Sequence, residues 1–158
     1  MANGVFASGR LLITWNGIDL SEGWGEDTFL TITPNGDIRE VMIGADGNGT
    51  ISELADMSAT IELTLSQTAD VIKTINKIEA AERVVRDNTG VPAAGFFTVE
   101  DPLGSTANFV CMETVMLSSG AHEWAKTAGE RVFRWHTTRY IPTDDPATVL
   151  SNIQAYIK

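Results

Sequence analysis

The stretch Ala59-Thr60-Ile61-Glu62-Leu63-Thr64-Leu65 decides the fold class, because its apolar and polar residues alternate strictly. Ile61, Leu63 and Leu65 fall on one face of an extended chain, and the Thr and Glu residues fall on the other. This period is typical of a strand with one face in a hydrophobic core. The sequence therefore predicts a half-buried β-strand here.

The residues before this strand predict a meander of short strands. Residues 11–15 and 18–20 are extended runs that flank Asn16-Gly17, a dipeptide that tolerates the positive φ angles of a tight hairpin turn. Residues 29–33 and 38–43 are two more extended runs, separated by a Pro-Asn-Gly-Asp turn. The first third of the chain is therefore expected to be β-rich.

One helix is predicted, over residues 68–86. Its apolar residues recur at helical spacing, and they are Val71, Ile72, Ile75, Ile78 and Val85. Ser66 or Thr68 is expected to cap its start, and Gly90 to end it in the left-handed conformation. The sequence therefore predicts a mainly β protein with one helix.

The remaining chain predicts three strands and a tail. The strands cover residues 95–100, 108–117 and 131–141, and the last two are long enough for an extended hairpin. Residues 142–158 fit either a short amphipathic helix or an added strand. No linker, repeat or low-complexity segment interrupts the sequence, so residues 1–158 are expected to form one domain.

Composition excludes several classes of protein. The formal net charge of −10 argues against direct binding of nucleic acid, because binding phosphates requires Lys and Arg. A single cysteine, Cys111, cannot form an internal disulfide, and its apolar surroundings predict a buried thiol. The first ten residues do not resemble a secretory signal, and no stretch suits a membrane helix, so folding in a cytoplasm is expected.

No constellation of residues predicts catalysis, a metal or a cofactor. Residues 46–52 copy the middle of a calcium-binding loop, but Gly44 and Ala55 stand where its strongest carboxylates belong, so a Gly-rich turn is expected. His122-Glu123 lacks the second His of a zinc-protease motif, and His136 is the other histidine. The sequence also lacks a recognisable nucleophile motif. We therefore expect a protein that is not an enzyme and has no cofactor.

The four tryptophans predict two different roles. Trp15 and Trp135 lie in strand patterns and are expected in the core. Trp24 and Trp124 lie in Gly-containing segments, so they are expected at contacts between subunits, where aromatic side chains are enriched.

Six short motifs follow one another along the chain. They are an N-terminal hairpin that ends near Gly17-Ile18, Glu22-Gly23-Trp24-Gly25-Glu26, Ile43-Gly44-Ala45-Asp46-Gly47, the strand-to-helix run from Ile61 to Thr68, Asp101-Pro102-Leu103-Gly104-Ser105, and Arg134-Trp135-His136. Their succession, with a helix after the fourth, resembles the tail tube family of phages with contractile tails. The resemblance extends over nearly the whole chain.

The resemblance implies an antiparallel β-sandwich or barrel with one helix packed against it. It also implies hexameric rings that stack into a hollow tube, in which six subunits close one large β-barrel around the lumen. DNA would pass through without specific binding, and an acidic lumen would repel its phosphates. The implied partners are the protein itself and the sheath, tape measure, baseplate hub and tail terminator proteins of a virion, with no membrane.

The resemblance also suggests where subunits meet. The candidate contacts between subunits or stacked rings are Trp24, Asp46, Asn48, Glu53, Trp124 and Tyr156. Residues 43–58 are predicted to form the contact between rings, and residues 142–158 to clasp a neighbour or the next ring. Two alternatives remain open at this stage. One is a monomeric carbohydrate- or ligand-binding β-sandwich with Trp24 or Trp124 as a stacking platform, and the other is the tube protein of a bacterial contractile injection or secretion system.

Overall fold

A seven-stranded sheet, a two-stranded hairpin and one long helix form the part of the chain that the computed structural model describes, which is residues 6–25, 28–90, 95–103 and 108–143. The strands are β1 (Leu12–Trp15), β2 (Ile18–Asp19), β3 (Leu30–Pro34), β4 (Arg39–Ile43), β5 (Gly49–Glu53), β6 (Ala59–Ser66), β7 (Gly95–Glu100), β8 (Asn108–Ser118) and β9 (Glu130–Thr143). The helix α1 spans Asp70–Thr89, and a 3₁₀ turn covers Ser8–Arg10.

The strand order of the large sheet is β2-β1-β7-β8-β9-β6-β3, and every neighbouring pair is antiparallel. The predicted meander is therefore wrong, because β2 and β3 lie at opposite edges of the sheet. β3 pairs with β6, with Leu30 opposite Leu63 and Ile32 opposite Ile61. These cross-strand apolar pairs lie more than 25 residues apart in sequence, so local turn signals do not reveal them.

The large sheet is curled but open. Trp15 and Trp135 lie three strand intervals apart, which is about 14 Å in a flat sheet. Their rings nevertheless meet edge to face with centroids 5.4 Å apart, and Phe97 lies 5.3 Å from Trp135. The predicted sandwich or barrel is thus corrected, because in the described residues one curled sheet wraps its own core without closing into a barrel.

The long strands match their predictions. β6 alternates between buried and more exposed residues, with Ile61, Leu63 and Leu65 fully buried. β8 and β9 form the predicted extended hairpin. The first turn is also as predicted, because Asn16 and Gly17 have φ angles of 55° and 82°. Cys111 is buried beside the core, as predicted.

Helix α1 covers the core with the predicted face, but it begins two residues later than predicted and its start is not capped as predicted. Val71, Ile72, Ile75 and Ile78 are buried, whereas Val85 is exposed. The residue before the helix is Ala69, and no side chain caps it, because the hydroxyls of Ser66 and Thr68 bond each other at 3.2 Å. Gly90 ends the helix at a φ of 72°, as predicted. In the described part of the chain, no helix combines the length and the apolar composition required to cross a bilayer.

Candidate functional site

The most unusual feature is a hairpin that stands away from the sheet. The hairpin, defined as residues 38–54, consists of β4, β5 and the turn between them, and neither strand pairs with the large sheet. Every residue from 33 to 53 is exposed. Five paired positions at about 3.3 Å per residue give the hairpin a reach of roughly 17 Å.

The hairpin exposes large apolar side chains, each 60–70% accessible, and they are Ile38, Val41, Met42, Ile43 and Ile51. Paired residues of an antiparallel ladder share a face, so Val41 and Ile51 lie together on one face with Ile43. Arg39 and Glu53 lie on the same face, with Arg39 Nη2 3.9 Å from Glu53 Oε1. This face is therefore apolar toward the tip and charged toward the base.

The tip of the hairpin is an ordered, negatively charged turn. The Gly44 amide donates to the Asn48 carbonyl at 2.8 Å, and Gly47 adopts a φ of 84°. Asp46 accepts hydrogen bonds from the Asn48 backbone amide at 3.1 Å and from its side-chain amide at 2.7 Å. These bonds hold the pKa of Asp46 below its ordinary value, so its carboxylate stays ionised at neutral pH.

An exposed apolar hairpin of this kind is suited to contact with another protein. An isolated two-stranded hairpin is only marginally stable in water, and a large exposed apolar patch marks an interaction site. Burying a Val, Ile or Met side chain contributes about 1.5–3 kcal/mol. Contact with another protein would therefore stabilise both the hairpin and the complex.

Trp24 lies at the margin of the core. Its ring stacks face to face on Phe29 with centroids 4.4 Å apart, and its indole N–H donates to the Leu20 carbonyl at 3.3 Å. Trp24 also forms an isolated bridge with Leu65. Phe29 occupies one face of the indole, which leaves little room for a ligand to stack there.

Trp124 is the exposed tryptophan. It lies between β8 and β9 with 86% of its surface accessible, and its ring stacks on His122 with centroids 6.1 Å apart. The adjacent Glu123 carbonyl accepts a hydrogen bond from the Gln67 side chain, which ties this segment to the end of β6. Trp124 is therefore a second apolar surface on a tethered loop.

The structure places the candidate contact residues in two separate regions. Asp46, Asn48 and Glu53 all lie on the hairpin, whereas Trp24 and Trp124 lie elsewhere. Tyr156 lies outside the described residues, as do residues 144–158 of the predicted clasp. In the described part of the chain, no group of three or more His, Cys, Asp or Glu side chains could hold a metal ion.

The sequence predicted a Gly-rich loop over residues 43–58 and a contact between rings there; the structure corrects the loop, and the contact stays a prediction. The turn is present, yet Gly49–Glu53 is a strand rather than part of a loop. The exposed apolar residues of the hairpin were not among the predicted contact residues. The alternation of Thr50-Ile51-Ser52, opposite Val41 and Ile43, was the signal that could have revealed both.

Comparison with known proteins identifies the fold. No protein-family model matches the chain, and no curated protein sequence matches it. One similar solved structure is the PVC sheath/tube terminator of an extracellular contractile injection system, with a TM-score of 0.56, 10% identity, and coverage of 90% of this chain and 99% of that chain. Another is the anti-feeding prophage cap, a tube terminating cap, with a TM-score of 0.54, 10% identity, and coverage of 90% and 93%. At this identity the likeness establishes a shared fold.

Proposed function

We propose that the chain is a structural subunit of a tail-tube-type assembly, in which copies of a β-rich protein form rings and the rings stack around a lumen. The observation that carries the proposal is the projecting hairpin, because an exposed apolar surface on a marginally stable element requires a protein partner. The shared fold with a sheath/tube terminator and a tube terminating cap supports the same role.

The finer proposal is a tail tube subunit of a contractile-tailed phage. Its rings are hexameric, and the open edges β2 and β3 are available for pairing between neighbours. An acidic chain suits a conduit, because a negative lumen repels DNA phosphates and lets the duplex slide. The partners are then the sheath, tape measure, baseplate hub and tail terminator proteins of the virion, and the role is not catalytic.

A second candidate is a protein that ends a tube rather than extending it. The specific observation in its favour is that the two similar structures are a terminator and a terminating cap. Both candidates require self-association into a ring. They differ in growth, because a tube subunit adds ring upon ring, whereas a terminator stops at a closed end.

The test compares two matched pairs of substitutions. Val41→Ser with Ile51→Ser removes apolar surface from the hairpin, and Val84→Ser with Val85→Ser removes similar exposed surface from α1. Light scattering after size exclusion, over a concentration series, should show that the hairpin variant associates on the order of a hundredfold or more weakly, since the two side chains together contribute about 3 kcal/mol or more. The helix variant should assemble like the wild type.

The control is thermal stability, which should be nearly the same for both variants, because all four side chains are exposed in the monomer. Two results would contradict the proposal. One is equal association of the hairpin variant and the wild type. The other is a wild type that stays monomeric and binds a sugar, which would favour a ligand-binding module.

A further inference from the structure

The arginine cleft is an open cavity of about 510 Å³ between the middle of α1 and the ends of β8 and β9. The residues that line it include Glu79, Arg83, Leu117, Ser118, His122 and Arg131. Arg131 is only 6% exposed, although it lines the cavity. A buried guanidinium is costly unless an opposite charge accompanies it.

Arg131 is held in place by neutral groups. Its Nε donates to the Ser119 carbonyl at 2.6 Å, its Nη2 lies 3.0 Å from His122 Nε2, and its guanidinium lies 4.8 Å from the Phe133 ring centre. No carboxylate of the described residues forms an ion pair with it. Burial lowers the pKa of Arg131, but a guanidinium remains charged at neutral pH. Within the described residues, the cleft therefore contains a cation that no carboxylate pairs with.

The cleft as a whole is positive on an acidic protein. Arg83 Nε lies 2.9 Å from Glu79 Oε1, so that pair is neutral. Arg131 lies 3.0 Å from His122 Nε2 and has no carboxylate partner among the described residues, so it adds one positive charge to the cleft. Because the whole chain has a net charge of −10, this positive cleft is suited to an acidic surface like that of another copy.

The rim of the cleft is apolar. Leu117 is exposed on one side, and Trp124, stacked on His122, extends this apolar surface. A free small anion would gain nothing from contact with an apolar rim. A protein segment with a carboxylate beside apolar side chains would contact both the guanidinium and the rim. The hairpin tip has this chemistry, with Asp46 at the turn and Ile43 beside it.

The hairpin and the arginine cleft lie at opposite ends of the large sheet. Arg131, at the cleft, is near the start of β9. Arg139, eight residues later, forms a bridge with Met57, just beyond the hairpin. Eight residues of strand span about 27 Å, so one copy cannot bring its hairpin tip to its own cleft without rearranging.

We infer that the hairpin tip of one copy docks in the arginine cleft of the next copy, with the Asp46 carboxylate facing Arg131 and Arg83, and with Ile43 against the apolar rim. The inference rests on the proposed function, because it supplies the contact that stacks successive rings. Different surfaces meet in this contact, so each added copy presents a fresh hairpin, and the contact extends a stack when the rotation between successive copies does not close a ring.

The decisive test is a disulfide between copies. Asp46→Cys with Ser118→Cys in one chain should give a ladder of covalent oligomers on a non-reducing gel after mild oxidation, and reduction should remove the ladder. Each single variant can form at most a dimer. The native Cys111 does not interfere, because it is buried and its pKa is raised to about 12.

A pair of charge reversals provides a second test. Arg83→Glu places a negative charge in the cleft, whereas the matched control Arg86→Glu changes the same helix outside it, and both arginines have a carboxylate within 4 Å. Arg83→Glu should weaken assembly on the order of tenfold or more, since like charges oppose docking. Arg86→Glu should have a much smaller effect.

The outcomes separate this inference from the proposed function. If the wild type assembles but the double-cysteine chain gives no ladder and both reversals act equally, the docking site is wrong and the structural role stands. If the wild type stays monomeric at every concentration, the structural role fails and the docking site fails with it.

Discussion

At the scale of single residues, two tryptophans hold the curled sheet together. Trp15 and Trp135 are fully buried, and with Phe97 they fill the space that the curl encloses. Within the described chain, neither indole N–H has a hydrogen-bond acceptor. An unsatisfied buried donor costs about 1–3 kcal/mol, so ring packing has to outweigh that cost.

Replacing Trp135 tests this balance. Trp135→Ala should lower the free energy of unfolding by about 3–5 kcal/mol, because it leaves a large cavity. Trp135→Phe should cost much less, since it keeps an aromatic ring and removes the unsatisfied donor. Chemical denaturation monitored by circular dichroism measures both values. Equal losses for the two variants would contradict the role given to ring packing.

At the scale of elements, the sequence predicts secondary structure best where the spacing of the apolar residues matches the face that is buried. β6 and the buried face of α1 were predicted because one face of each meets the core. β5 was missed because Gly and Asn dominate the residues just before it, and because none of its residues is buried in the described part of the chain. The wrong meander has another cause, since β3 pairs with β6 through contacts distant in sequence.

The candidate site was also predictable only in part. The acidic hairpin turn and the exposed Trp124 were found from composition and context. The arginine cleft was not, because Arg83, His122 and Arg131 come from three elements, and no local pattern joins them. Burial of a single arginine has no signature in the sequence.

The hairpin should behave as a separate unit until it is covered. In the monomer, amides of β4 and β5 should exchange with deuterium at opening free energies near zero, because the two strands pair only with each other in solvent. Central amides of β6 should exchange slowly and provide the control. Assembly should slow exchange in the hairpin far more than in β6.

Strong protection of the hairpin in the monomer would contradict this account. It would mean that the hairpin is already covered within one chain. Unchanged exchange on assembly would place the contact between copies elsewhere.

At the scale of the whole molecule, the fold separates two surfaces by the length of a sheet. The hairpin lies at one end of the large sheet, and the arginine cleft opens at the other end. The curled core lies between the hairpin and the cleft and keeps them a fixed distance apart. A subunit with complementary surfaces at opposite ends is suited to stacking. Within the described residues, β2 and β3 are the edge strands of the sheet, and an edge strand can pair with another chain.

Negative-stain electron microscopy of the purified protein, over a concentration series, tests the central claim most directly. A tube subunit should form rings with a central hole, and at higher concentration stacked rings or hollow tubes. Rings that never stack would favour the terminator. Monomers at every concentration, with no ring in any field, would contradict the structural role.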